Sequence, residues 1–81
     1  MQVTVHFYSY FRELTGCAET MQEIPNGSTI TDLFEQLTKR FARLAEMKRA
    51  TLVAIGVDYQ TWDYVLQEGD KVSLFPPVQG G

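Results

Sequence analysis

The sequence predicts an α+β fold in which one main helix packs across a mixed sheet of four or five strands. Three observations carry that expectation: period-two alternation of apolar residues at both ends of the chain, one apolar stripe at helical spacing between them, and turn residues at the junctions. Val3, Val5 and Phe7 alternate with Gln2, Thr4, His6 and Tyr8, the pattern of a strand with one buried face. Phe11 to Gly16 reads as one or two helical turns closed by a glycine, and Glu19 to Ile24 as a second strand joined to the first in a hairpin-like pair.

Pro25-Asn26-Gly27 marks a turn, after which Ser28 or Thr29 is placed to cap a helix by accepting a bond from a free first-turn amide. Ile30, Leu33, Phe34, Leu37, Phe41 and Leu44 then recur every three or four residues, a stripe that must bury against the sheet. Asp32 and Glu35 near its start and Lys39, Arg40 and Arg43 near its end suit the helix dipole. Beyond Met47 the run Thr51 to Val57 reads as a strand, Trp62 to Leu66 as a shorter extended piece, and Glu68-Gly69-Asp70 as a turn. Lys71 to Phe75 alternates again, with Val72 and Leu74 inward and Ser73 and Phe75 outward. Pro76 ends the ladder because it has no amide hydrogen. The order strand, strand, helix, strand, short strand, strand is that of the ubiquitin-like β-grasp arrangement, with residues 1–75 as the domain and 76–81 as a tail.

Composition narrows the function. At 81 residues the chain is one domain with a thin core, burying only about 60% of its unfolded surface. A formal charge of −3 argues against nucleic-acid or anionic-membrane partners held by long-range attraction. No apolar run is long enough to span a bilayer, and His6 and Arg12 interrupt the first apolar segment, unlike a signal peptide; a cytoplasmic protein is expected. Cys17 is the single cysteine, which excludes internal disulfides and Cys-rich zinc or iron-sulfur sites, and no metal site is expected.

Chemistry of the usual enzymatic kind is sparse. A hydrolase needs a nucleophile, a base and an orienting group, whereas this chain has one His, one Cys and no nucleophile elbow. His6, on the polar side of its strand, reads as a surface or partner-facing residue. Lys39, Arg40, Arg43, Lys48 and Arg49 hold five of the seven basic residues; without a phosphate loop or stacking platform they read as a solvated helix terminus.

The chain closes on Phe75-Pro76-Pro77-Val78-Gln79-Gly80-Gly81. A terminal Gly-Gly pair is weak evidence alone, since termini commonly fray. Following two prolines that pre-set extended dihedrals, it makes a thin cord whose carboxylate can enter a narrow channel. Val78 to Gly81 would reach about 13 Å beyond the prolines at roughly 3.3–3.6 Å per residue. A free carboxylate is anionic and unreactive toward acyl transfer, so such a tail needs activation by a nucleotide-consuming partner.

Taken together, Arg12-Glu13-Leu14-Thr15-Gly16 after the opening strand, Pro25-Asn26-Gly27-Ser28-Thr29-Ile30, and the stretch from Glu68-Gly69-Asp70 through Phe75-Pro76-Pro77-Val78-Gln79-Gly80-Gly81 resemble the MoaD family. These are the small subunits of molybdopterin synthase, within the ubiquitin-like sulfur carriers, and the resemblance covers essentially the whole chain. It implies that the chain is not itself catalytic. An E1-like adenylyltransferase (MoeB-like) would use ATP to activate Gly81, and a sulfur donor such as a cysteine desulfurase or rhodanese-like protein would convert it to a thiocarboxylate. A large (MoaE-like) subunit would receive the tail and pass sulfur to cyclic pyranopterin monophosphate, in a heterotetramer of two large and two small subunits. No cofactor is expected on this chain, and ATP is consumed by the activating partner.

By position, the resemblance makes Tyr8, Tyr59 and Phe75 the apolar docking residues beside the tail, and strand parity independently puts Tyr8 and Phe75 on the face away from the helix. One departure is Ile55-Gly56, where the family commonly has Val-Asn. A sulfur carrier for thiazole formation shares the activation chemistry, and a ubiquitin-like protein modifier is a further alternative.

Overall fold

The computed structural model describes residues 1–77, and the side chains of all of these except Lys48 and Arg49. Its strands are β1 (Gln2–Phe7), β2 (Glu19–Glu23), β3 (Leu52–Ile55), β4 (Asp58–Tyr59) and β5 (Lys71–Phe75); its α-helices are α1 (Tyr10–Thr15) and α2 (Ile30–Arg40). The five strands form one sheet in the order β2-β1-β5-β3-β4. Only β1 and β5 run parallel, and the other neighbours are antiparallel. The expected mixed β-grasp sheet is therefore present at its five-strand limit.

One face of the sheet is the core. Val3, Val5 and Phe7 from β1, Val53 from β3 and Val72 and Leu74 from β5 cluster with Ile30, Leu33, Phe34 and Leu37 of α2. Period two in the strands and 3.6 in the helix make these faces match. Thr29 caps α2: its hydroxyl accepts from the Asp32 amide (3.3 Å), and the Asp32 carboxylate accepts from the Thr29 amide (2.9 Å), a reciprocal capping box. The Ser28 hydroxyl instead donates to the Pro25 carbonyl (2.7 Å), so Thr29 is the cap of the two expected candidates.

Two sequence expectations need correction. The helical stripe was expected to continue through Leu44, but α2 stops at Arg40 and residues Ala42–Ala50 form 3-10 turns. That stretch is rich in good helix formers, so intrinsic propensity favours continuation and tertiary contacts override it. Phe41 leaves helical dihedrals (φ −127, ψ 84) and sets its ring edge-on to Phe7 at 5.7 Å. Arg40 donates to the Met21 carbonyl, Gln22 Oε1 and Thr20 Oγ1 (3.1, 2.8 and 2.8 Å). These bonds tie the helix end to the outer edge of β2, so Arg40 is not part of a free basic patch. Leu44 is still buried, now from the 3-10 segment.

The second correction is that the short strand is β4, at Asp58–Tyr59, and not Trp62 to Leu66. The latter segment clasps the start of α2: the Ile30 and Thr31 amides donate to the carbonyls of Tyr64 and Trp62 (both 3.1 Å), and the Leu66 amide donates to the Ser28 carbonyl (2.8 Å). Its apolar alternation serves this clasp, with Trp62 edge-on to Phe34 at 5.2 Å. First-turn helix amides lack intrahelical acceptors, and these carbonyls supply them.

Candidate docking face and tail root

The sheet face opposite α2 is open. The pairing register puts Thr4 and His6 of β1, Lys71 and Ser73 of β5, Ala54 of β3 and Tyr59 of β4 on it. At the C-terminal ends of β1 and β5 this face becomes aromatic. The Phe75 ring lies between Tyr8, at 5.8 Å and 67°, and Tyr59, at 5.7 Å and 82°. Edge-to-face pairs at these separations are favourable beyond their buried area, so the rings hold one another in place. Tyr8 is 40% and Tyr59 65% exposed. The structure thus brings together all three residues that the sequence nominated from two distant segments and one short strand.

With Gly56 and Val57 the three rings line a shallow concavity of about 450 Å³. Gly56 and Val57 are the two-residue loop between β3 and β4, closed by the Ile55–Asp58 pair. Gly56 has φ +62 while Val57 does not have positive φ, the pattern of a type II′ hairpin turn with glycine first. The departure at Ile55-Gly56 therefore forms the tight turn that presents Tyr59. Val57, at its tip, is 95% exposed and was not singled out by sequence reasoning; the Gly56 turn signal could have found it.

His6 lies where the sequence placed it, on the open face, half-buried and stacked toward Tyr8 at 6.4 Å between ring centres. Cys17 is half-buried in the loop after α1, with its thiol donating to Thr15 Oγ1 at 3.7 Å. Among the described residues no group of three or more His, Cys, Asp or Glu is placed to hold a metal ion. No helix there is long and apolar enough to cross a membrane.

The tail root is built by ending three strands at one level. The Tyr8 amide donates to the Leu74 carbonyl (3.1 Å). The next bond of that parallel ladder would run from residue 76 to the Tyr8 carbonyl. Residue 76 is proline, and the Tyr8 carbonyl accepts from the Phe11 amide instead (3.0 Å). The chain turns away there at Ser9, whose φ of 51 and ψ of −129 match the first central position of a type II′ turn. On the other side of β5, β3 begins at Leu52, opposite Phe75. Pro76 and Pro77 have no ladder partner on either flank among the described residues, and they are half-buried and exposed respectively. The expected tail residues Val78, Gln79, Gly80 and Gly81 lie outside the described residues.

A five-stranded mixed sheet grasping one main helix defines a ubiquitin-like β-grasp protein. The chain belongs to the ThiS family, which matches residues 5–81. The molybdopterin synthase sulfur carrier subunit of Escherichia coli (strain K12) is 31% identical over 81 residues, spanning 98% of this chain and 99% of that protein. A solved Pyrococcus furiosus structure, assigned as molybdopterin converting factor subunit 1, is 34% identical with a TM-score of 0.86, covering 95% of this chain and 98% of that one. The complex of subunits 1 and 2 of molybdopterin-converting factor from Helicobacter pylori contains a chain of the same fold. That likeness has a TM-score of 0.69 at 22% identity, with both chains fully covered.

Proposed function

We propose that this chain is the sulfur-carrying small subunit of a molybdopterin synthase, and that Gly81 bears the transferred group. The observation that carries the reading is the junction at Phe75–Pro77. There Pro76 and Pro77 leave the sheet with no strand on either flank, directly beside the exposed rings of Tyr8 and Tyr59 and the half-buried ring of Phe75. Such a junction separates the reactive end from the fold and sets a partner-recognition surface at its base. The names of the relatives support the same reading, and the Helicobacter pylori complex shows that a chain of this fold pairs with a second subunit.

The chemistry follows from the carboxylate. An E1-like adenylyltransferase joins the Gly81 carboxylate to the α-phosphate of ATP and releases pyrophosphate, which converts an anionic, unreactive acyl group into one with a good leaving group. The terminal sulfur of a persulfide on the donor protein displaces AMP to give an acyl disulfide, and a second thiol reduces its S–S bond, forming a disulfide with the donor cysteine and releasing the C-terminal thiocarboxylate. The large subunit then takes the three-ring face of Tyr8, Tyr59 and Phe75, admits Gln79, Gly80 and Gly81, and supplies the acid–base groups that pass sulfur to cyclic pyranopterin monophosphate. Two sulfurs per product fit an assembly of two large and two small subunits, working in the cytoplasm. Gly80 suits the passage because it has no Cβ.

Intact-mass measurement tests this reading. The chain is incubated with an E1-like adenylyltransferase, ATP and a sulfur donor, and the expected result is replacement of one terminal oxygen by sulfur, lost when Gly81 is deleted. Binding to the large synthase subunit is the second arm. A sulfur carrier for thiazole formation would give the same mass change, so binding thiazole synthase but not the large subunit would sink the proposal.

A further inference from the structure

We propose that Ser9 is a specificity-determining contact for the subunit that receives the tail, its hydroxyl hydrogen-bonding a polar group of that subunit beside the tail root. The inference rests on the docking role argued above. Its starting point is a mismatch between residue and backbone. Left-handed dihedrals crowd the Cβ of an L-residue against the backbone and are free of that cost only for glycine. Wherever else the described chain takes positive φ it uses glycine, at Gly16, Gly27, Gly56 and Gly69; Ser9 is the exception.

Nothing among the described residues compensates. Ser9 sits at the cap position of α1 yet its side chain makes no capping bond, and the residue is exposed. The turn itself is secured by backbone bonds, Phe11 amide to Tyr8 carbonyl and Arg12 amide to Ser9 carbonyl (both 3.0 Å), which glycine would make equally well. A strained residue without an internal role points to an external one. Its location supplies that role: Ser9 follows Tyr8 directly, and the β1–β5 register, continued past Phe7 and Leu74, places it level with Pro76 at the tail root. An exposed hydroxyl one residue from Tyr8 and beside the tail root is within reach of a partner that seats on Tyr8 and Phe75 and admits the tail.

The test titrates the full-length chain with the purified large synthase subunit by calorimetry, alongside thermal melts, for wild type, Ser9→Gly, Ser9→Ala and Tyr59→Ala. Ser9→Gly is expected to melt at or above wild type and to bind about fivefold more weakly, the scale of one net hydrogen bond. Ser9→Ala retains the Cβ and loses the hydroxyl, and is expected to show the same weakening. If both Ser9 variants bind within about twofold of wild type while Tyr59→Ala binds worse, this inference is wrong and the docking face stands. A loss in Ser9→Gly alone would trace the effect to backbone freedom and also overturn it. If Tyr59→Ala binds like wild type too, the docking face itself is misplaced and both readings fall.

Discussion

Replacing Tyr59 by alanine probes the docking face with little cost to the fold. Tyr59 lies on the two-residue edge strand β4 and is 65% exposed. An aromatic side chain offers about 150–250 Å², so its exposed share leaves at least about 100 Å² of ring surface for a partner to cover. At about 25 cal/mol per Å² this contributes about 2.5 kcal/mol to docking, or about 70-fold in Kd. Ordering and desolvation at the interface absorb part of that energy, so the expected weakening lies between about 10- and 70-fold.

In the free chain the substitution removes one edge-to-face contact, with Phe75 at 5.7 Å, and destabilises by about 0.5–1.5 kcal/mol. Binding and stability are therefore separable. Calorimetric titration against the large synthase subunit, with a urea melt of each variant, reads both. A Kd change below about threefold, in a variant whose melt shows it folded, would refute the assignment of Tyr59 to a buried contact.

Other consequences are local. Thr29→Ala removes half of the capping box and should cost about 1 kcal/mol in denaturant unfolding. Gly56→Ala should destabilise by about 1–2 kcal/mol through its φ of +62, although a Cβ there meets no atom within 4 Å. Burial, and then the Asp70 carboxylate that accepts its hydroxyl at 3.3 Å, raise the Tyr64 phenol above its usual value. Its neutral form is favoured in the fold, so this contribution is complete below about pH 10 and lost as pH rises through the raised value. Urea melts between neutral and strongly alkaline pH should show that decline, and Tyr64→Phe should remove its share of it.

Much of this architecture is legible in the sequence because it is written in periodicity. Val3, Val5 and Phe7, and Val72 and Leu74, show their buried face by parity alone, and the same parity places Tyr8 and Phe75 on the open face. What was not legible depends on partners distant in the chain. The end of α2 at Arg40 is decided by bonds to Thr20, Met21 and Gln22 on β2, which no local window contains. Trp62 to Leu66 alternates like a strand because it is half-buried on one side, yet its carbonyls serve the first turn of α2. Tyr59 came only from resemblance, since a two-residue strand has too few positions to show a period. Ser9 looks ordinary in sequence, and its strain appears only once β1 has to end beside Pro76.

The position of that ending leads to a last prediction, about how the chain divides its labour. Hydrogen bonding of β5 is complete at Phe75, because β1 turns off at Ser9, β3 begins opposite Phe75 and Pro76 has no amide hydrogen to donate. Among the described residues the core cluster likewise draws on nothing beyond Leu74. Deleting Gly80 and Gly81 should therefore shift Tm by less than about 2 °C, well under the roughly 4–8 °C that 1 kcal/mol produces in a domain of this size. The same deletion should abolish exchange of terminal oxygen for sulfur and leave binding of the large subunit through Tyr8, Tyr59 and Phe75 measurable. A drop in Tm of more than about 4 °C would mean that the tail is part of the fold, and the separation of handle from reactive end would be wrong.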